Sequence, residues 1–442
     1  MRRLDCGINM LRDFKLRISN FGPINEADMD ISKINIIAGK NASGKTTISK
    51  LIYCIVTAFS TDGEYLTFES LKEQIDLLIN NIQISQENPI KEFDEIRFEL
   101  DTDREYKLKT IENSYDKLES MIKTFDLDEK EFLLNTIEKD KKRLNRMYEM
   151  GVCWSLLVNL IKNEFSGNEQ LLNNYEDSKI TIYNDKKDNE FGYVYEIRNG
   201  FLVKPETEYK NTITTNREAI YIETPYFLDY KIPFAQFNYL GQKQYHQTLL
   251  YLKLTDQKSK SDILDEINNE ETIKFQKKIN ELLEGNFNFN NQGLVEFNQN
   301  GKTYNLPNTS TGLKSLGILQ LLLENRKLKE NTFLIMDEPE VHLHPEWQVK
   351  LAHILVLLVK DLNVTLFINS HSPQFIEAVE VYSVKYGLKD ETNFYLTEED
   401  EKSKKYNVRQ IPFENLYEIY ENLGDPYDIL DKIRGENLAN HL

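Results

Sequence analysis

Residues 39–47 read Gly39-Lys40-Asn41-Ala42-Ser43-Gly44-Lys45-Thr46-Thr47, the spacing G-x-x-x-x-G-K-[ST]. This segment constrains the fold more than any other, because it dictates what must flank it. Glycines at its two ends let the backbone wrap tightly, so that successive N–H groups point inward at a phosphate chain. A lysine at position 45 reaches the β/γ-phosphates, and a hydroxyl at 46 can ligate Mg²⁺. The loop works only between a buried strand and a helix. Ile34-Asn35-Ile36-Ile37-Ala38 before it is a short apolar run suited to a buried strand. After it Ile48, Leu51, Ile52, Ile55, Val56 and Phe59 recur at helical spacing. The helix N-terminus adds its dipole to phosphate binding. Gly39, Asn41, Ala42, Ser43, Gly44, Lys45, Thr46 and Thr47 are therefore expected to form a nucleotide-phosphate cradle.

Two further segments complete such a site. Phe333-Leu334-Ile335-Met336-Asp337-Glu338 is four apolar residues followed by two acids. A strand of this kind delivers Asp337 to the Mg²⁺ shell, and Glu338 can orient or deprotonate an attacking water. Leu366-Phe367-Ile368-Asn369-Ser370-His371 is a second apolar strand ending in an imidazole. It places His371 at the carboxyl edge of an open sheet, where such sheets bind ligands and where it could contact a γ-phosphate. Ser310-Thr311-Gly312-Leu313-Lys314-Ser315 opens a helix and is suited to a second anion site. Read blandly, it is a helix N-cap.

The rest of the chain alternates between strand and helix patterns. Phe14, Leu16, Ile18 and Phe21, then Met29, Ile31, Ile34 and Ile36, predict two or three strands feeding the loop, with Gly22-Pro23 as a turn. Ile96-Arg97-Phe98-Glu99-Leu100 alternates like another strand. Leu108, Ile111, Tyr115, Leu118, Ile122 and Phe125 then form a short a/d seam, and Leu133, Ile137, Leu144 and Tyr148 a second helix, predicting a helical hairpin. Strands are predicted within 178–204, at 219–222 and within 287–306, where Gly301 marks a hairpin turn. Helices are predicted over 261–284, over 310–323 and between the strands at 333–336 and 364–368. Lys45 and Asp337 stand 292 residues apart (337 − 45), too far for a compact nucleotide-binding core, so an insertion is expected. The expected divisions are 1–100 and 216–442 for the two parts of the nucleotide-binding domain and 101–215 for the insertion.

Composition narrows the setting. A net charge of −18 repels nucleic acid on average, so any DNA contact would need a local basic patch. Lys139, Lys141, Lys142, Arg143 and Arg146 form one such cluster, read first as a solvated helix face. Cys6, Cys54 and Cys153 are scattered, which fits a reducing cytosol, and Cys54 falls among core positions of its helix. No apolar run is long enough for a membrane span. His342, His344 and His353 with Glu340 carry a competing metal-site reading, with poor zinc-ligand spacing.

Taken together these motifs resemble the ABC-type ATPase heads, and the loop Gly39-x-Asn41-x-Ser43-Gly44-Lys45 resembles the SMC and RecF style. The stretch Asp337-Glu338-Pro339-Glu340-Val341-His342-Leu343-His344-Pro345 resembles the OLD-like ATPases found in anti-phage systems such as Septu and PARIS. The resemblance implies an α/β P-loop head with a mixed sheet and flanking helices. It also implies ATP and Mg²⁺ as ligands, bound between two copies of the chain. Carried over by residue, Ser310 and Gly312 would bind the γ-phosphate in trans, Thr46 and Asp337 would hold the metal, and Glu338, His371 and Lys45 would be catalytic. The signature lacks the second of the paired glycines of transporters. No glutamine loop is evident, Gln236 and Gln242 being the candidates. Roughly 70 residues follow His371, too few for the Toprim domain of full OLD nucleases, so any nuclease activity is expected from a partner. The resemblance implies a cytoplasmic ATP hydrolase that forms a homodimer or higher oligomer and controls an effector protein. The alternatives are a slow or non-hydrolysing sensor that holds an inhibited effector, and a RecF-like repair ATPase.

Overall fold

The computed structural model describes residues 14–84, 90–103, 108–125, 129–150, 152–165, 178–184, 191–198, 201–203, 218–223, 245–255, 275–277, 279–281, 284–289, 295–299, 301–305 and 311–424. Its internal contacts divide the chain into two compact units, one of residues 1–56, 161–213 and 217–442 and one of residues 57–160 and 214–216.

The first unit is built on an 11-stranded mixed sheet. Its N-terminal strands are β1 (Phe14–Phe21), β2 (Ile24–Ile31) and β3 (Ile34–Ala38). Gly22 supplies the positive φ (58°) of the β1–β2 turn, where the sequence places it. β4 (Ser178–Asn184), β5 (Phe191–Arg198) and β6 (Phe201–Val203) extend the sheet outward from β1, and β7 (Glu218–Ile222) closes its other side. A separate antiparallel sheet holds β8 (Asn286–Phe289), β9 (Val295–Gln299) and β10 (Lys302–Asn305), with Gly301 in the β9–β10 turn as expected. The large sheet is completed by β11 (Thr332–Asp337), β12 (Thr365–Ser370), β13 (Thr392–Glu399) and β14 (Tyr406–Ile411). Its order is β6-β5-β4-β1-β2-β14-β13-β3-β12-β11-β7.

The central pairings β13·β3, β3·β12, β12·β11 and β11·β7 are all parallel. Parallel strands are buried on both faces and read as continuous apolar runs. Phe333, Leu334, Ile335 and Met336 are each fully buried, contributing about 1.5–3 kcal/mol apiece. Because these strands run the same way, their carboxyl ends meet at one edge. That edge carries Gly39, Asp337-Glu338 and Ser370-His371, the segments that the sequence singles out.

Helix α1 (Lys45–Ala58) leaves the phosphate loop and crosses from the first unit into the second. Ile48, Leu51, Ile52, Ile55, Val56 and Phe59 are all buried, as their spacing predicts, and Cys54 is a buried free thiol.

The second unit is helical: α2 (Thr61–Ile84), α3 (Lys91–Thr102), α4 (Leu108–Thr124), α5 (Lys130–Met150) and most of α6 (Val152–Glu164). Its own core joins Phe68, Leu71, Ile75 and Ile79 of α2 to Phe93, Ile96 and Leu100 of α3, Ile111, Tyr115, Leu118 and Ile122 of α4, and Leu133, Ile137 and Leu144 of α5. The expected hairpin is therefore α4 and α5, packed through the positions read as its seam.

Two expectations need correction. Residues 96–100 are helix, not strand. Phe93, Ile96 and Leu100 face the core at spacings of three and four, and the apparent alternation comes from exposed Phe98 among charged neighbours. The divisions at 100/101 and 215/216 do not coincide with the units either. The helical unit begins at Thr57, and the strands expected at the end of the insertion join the edge of the large sheet. Two members of the basic cluster on α5 pair inside their own unit: Lys141 with Asp116 (2.6 Å) and with Glu119, and Lys142 with Glu138 (2.6 Å). The helix expected over 261–284 is described only as helical turns at 275–277 and 279–281.

In the first unit, α7 (Tyr245–Thr255), α8 (Thr311–Glu324), α9 (Pro345–Leu362) and α10 (Pro373–Lys385) pack in one core with the strands. Pro345 and Pro373 occupy first-turn positions, where a missing N–H costs nothing. Ser372 caps α10 by accepting from Phe375 N–H (3.3 Å), which sets His371 just ahead of that helix.

Candidate functional site

The phosphate loop wraps a cavity of about 200 Å³ lined by Pro23, residues Ala42 to Thr47 and Glu338. Two glycines are dictated by what lies against them. A Cβ on Gly39 would stand 1.8 Å from Thr397 Oγ1, and one on Gly44 2.5 Å from Ile24 Cδ1. Ala42 takes a left-handed φ of 61° and turns the loop. Ser43 is buried and accepts a hydrogen bond from Thr397 Oγ1 (2.7 Å), tying the loop to β13. Asn41 and Thr46 are exposed, Thr46 in the cavity lining, and Thr47 is half-buried.

Lys45 is 5% exposed, and its Nζ donates to the carbonyls of Gly39 (2.9 Å) and Lys40 (2.8 Å). Glu338 Oε1 lies 3.7 Å from the same nitrogen. Burial pulls the ammonium's pKa down, and the carboxylates of Glu338, Asp337 and Glu340 oppose that pull. Glu338 Oε1 also lies 3.0 Å from His371 Nδ1. The imidazole holds the Glu338 carboxyl below its ordinary value, and Glu338 in turn raises His371. Lys45, Glu338 and His371 thus meet at the loop, although they come from three separate strand ends.

Asp337 is fixed from both sides. Asn369, its register partner on β12, donates from Nδ2 to Oδ1 (2.6 Å), and Tyr221 on β7 donates from its hydroxyl to Oδ2 (2.9 Å). Burial raises the carboxyl's pKa against hydrogen bonds from Thr46, Ser49 and Tyr221. Thr46 and Asp337 are therefore hydrogen-bond neighbours, a hydroxyl and a carboxylate side by side. Such hard oxygen donors suit Mg²⁺, which keeps several waters and takes few protein ligands. The donor set fits that ion.

Gly312 lies in the first turn of α8, and Ser310 lies outside the described residues, as do Gln236 and Gln242. The histidine metal reading is not supported: among the described residues no group of three or more ligand side chains could hold a metal. His342 and His344 are exposed, and His344 caps α9 by accepting from Glu346 N–H. His353 stacks on Tyr382 (4.3 Å between centroids) and bonds the Tyr386 hydroxyl (2.7 Å).

Residues to which the sequence reading gave no part in this site complete the surroundings. Asn369 Nδ2 also donates to Ser49 Oγ (2.7 Å), linking β12 to α1. Glu340 is 2% exposed and accepts from Ser370 Oγ (2.5 Å), and burial pushes its carboxyl up. A polar pair, Asn369-Ser370, at the end of an otherwise apolar strand was the available signal.

The family described as AAA ATPase domain matches residues 14–376. The chain belongs to this family. The match takes in the phosphate loop, Asp337, Glu338 and His371, so the AAA ATPase domain contains the whole cluster described above. Among solved structures, the chain is similar to the SMC head domain from Thermotoga maritima, at 11% identity over 91% of this chain and 98% of that one, TM-score 0.39. It is similar to the SmcHead bound to the C-winged helix domain of ScpA, at 11% identity over 91% and 98%, TM-score 0.45. A third is the Smc head domain with an extended coiled coil bound to the C-terminal domain of ScpA derived from Pyrococcus furiosus, at 11% identity over 95% and 98%, TM-score 0.42. No curated protein matches the chain. No helix among the described residues is long and apolar enough to cross a membrane.

Proposed function

We propose that this AAA-family chain is an ABC-type ATPase of the OLD-like kind, which dimerises around ATP–Mg²⁺ and controls a partner effector, a nuclease by class, in defence against phage. The observation that carries the reading is the convergence of Lys45, Glu338 and His371 on the phosphate loop, with Glu338 Oε1 3.0 Å from His371 Nδ1 and 3.7 Å from Lys45 Nζ. In this reading the loop N–H groups and Lys45 bind the β/γ-phosphates. Thr46 and Asp337 hold Mg²⁺, which neutralises phosphate charge when bound. Glu338, kept ionised by His371, orients the attacking water and takes its proton at a carboxylate oxygen. His371 then faces the γ-phosphate. Gly312, in the first turn of α8, and Ser310, which lies outside the described residues, would bind the γ-phosphate held by a second copy.

The test is Glu338→Gln. It keeps the size of the side chain and removes the base, so turnover should fall by about 10²–10⁴-fold while ATP binding and the ATP-dependent dimer persist. Normal hydrolysis by this variant would sink the assignment. One observation favours a second reading. Glu338 is already engaged by Lys45 and His371, as suits a sensor in which ATP holds an inhibited effector and is turned over slowly if at all. Effector release with a non-hydrolysable analogue, set against steady-state turnover, separates the two.

A further inference from the structure

Beside β7 lies a buried charged cluster that the phosphate loop does not explain. His246, in the first turn of α7, is 1% exposed. Its Nδ1 lies 2.6 Å from Glu164 Oε2, and its backbone N–H donates to Glu164 Oε1 (2.9 Å). Its Nε2 lies 3.3 Å from Glu223 Oε2, and Lys50 Nζ of α1 lies 2.8 Å from Glu223 Oε1. Burial acts to pull the imidazole down, but the two carboxylates outweigh it and leave His246 raised. Burial likewise opposes the charge on Glu223, which His246 and Lys50 nevertheless hold at about 2. The result is a buried row of ionisable partners: Glu164, His246, Glu223, Lys50. Desolvating such ions costs several kcal/mol each before pairing offsets it, so the cluster is a poor device for stability alone.

Its geometry leads to the metal carboxylate. The His246 ring packs on Tyr221 with centroids 4.5 Å apart, and Tyr53 lies 5.9 Å from His246 and 5.8 Å from Tyr221. The Tyr221 hydroxyl donates to Asp337 Oδ2 (2.9 Å). β7 is the last strand of the described sheet, so Tyr221 has a strand neighbour on one side only. The imidazole, itself clasped between Glu164 and Glu223, packs on the tyrosine ring. We infer that Glu164, His246 and Tyr221 are positioning residues that aim the Asp337 carboxylate and so set the site's affinity for its divalent cation. The inference rests on the ATPase reading. Lys45 and the loop N–H groups do not depend on Tyr221, so phosphate contacts survive without its hydroxyl, whereas Asp337 Oδ2 loses its hydroxyl partner there.

The experiment titrates Mg²⁺ against binding of a fluorescent ATP analogue to the full chain, with a parallel arm in EDTA, for wild type, Tyr221→Phe and His246→Asn. Tyr221→Phe keeps the packed ring, so it separates the hydroxyl's role from the fold. Metal-free affinity for the analogue should stay at the wild-type value, while apparent Mg²⁺ affinity falls on the order of tenfold, as when the outer support of a metal ligand is removed. An unchanged Mg²⁺ dependence in Tyr221→Phe overturns the inference. So does an equal loss in both arms, which would mark a merely structural role. Wild-type protein that takes up no analogue in either arm overturns the ATPase reading and this inference with it.

Discussion

Gly39→Ala isolates the physics of the phosphate loop. The added methyl would sit 1.8 Å from Thr397 Oγ1 and 3.1 Å from Thr397 Cβ, against side-chain atoms of a buried residue on a central strand. Thr397 cannot swing away freely, because its Oγ1 donates to Ser43 Oγ (2.7 Å) and lies 3.4 Å from the carbonyl of Ala38. Relieving the overlap costs about 1–3 kcal/mol as overpacking. Losing the buried Thr397–Ser43 bond adds roughly 1 kcal/mol. Gly39 also has a φ of 157°, in a region that L side chains rarely adopt, and this backbone part adds about 1–3 kcal/mol whatever fills the space. A double-mutant cycle separates the two parts. Thr397→Ala removes the clashing oxygen, so Gly39→Ala/Thr397→Ala should recover the steric part and leave the backbone part, giving a coupling of about 1–3 kcal/mol. Denaturant unfolding measures it, and binding of a fluorescent ATP analogue reports the loop itself. Additive effects of the two changes, or wild-type stability in Gly39→Ala, would refute the claim that β13 shapes the loop.

Lys45→Ala should abolish both ATP binding and ATP-dependent dimerisation, measured by analogue binding and by light scattering. A dimer that closes normally without Lys45 would reject the composite site. The His246 cluster predicts a stability window in pH. Glu223, held at about 2 against an ordinary 4.5, contributes above pH 4.5 and loses that contribution as pH falls toward 2. His246, raised above 6.5, contributes fully below 6.5 and loses it as pH rises through the raised value. Melting temperature should therefore peak between these limits, and His246→Asn should flatten both limbs. Lys141→Ala in the helical unit should cost roughly 0.5–1 kcal/mol at low salt and less at high salt, since its pairs with Asp116 and Glu119 are partly exposed.

What the sequence made legible was the local part of the problem. The phosphate loop shows in a single chain because its glycines, lysine and hydroxyl act within nine residues, and the strand and helix it requires adjoin it. Asp337, Glu338 and His371 show because each ends an apolar run that only a buried parallel strand explains. The hairpin of α4 and α5 shows because two seams of three and four spacing flank a short break. Where a window of five residues was read alone, as at Ile96–Leu100, alternation and helical spacing could not be told apart. Residues defined by distant partners stayed invisible. Tyr221 meets Asp337 across 116 positions, Glu164 meets His246 across 82, and Thr397 meets Ser43 across 354. Nothing near a lone Tyr, His or Thr in the chain specifies a partner that far away.

The placement of Glu338 ties these levels together. Its φ is 44°, a left-handed conformation that is uncommon outside glycine and costs about 1–3 kcal/mol. The chain holds it there with a backbone bond from Glu338 N–H to the Asn369 carbonyl (2.9 Å), while the Asn369 side chain grips Asp337 and Ser49. An extended residue at 338 would send its side chain along the alternation of β11, to the face opposite Asp337. The turn instead sends two consecutive acids to different partners around the loop, Asp337 to Thr46 and Glu338 to Lys45 and His371. A glycine at 338 would relax the backbone but bring no carboxylate. The strain is thus matched to the chemistry: the position needs a glycine's backbone and an acid's side chain, and the fold secures both through Asn369, one residue on the neighbouring strand.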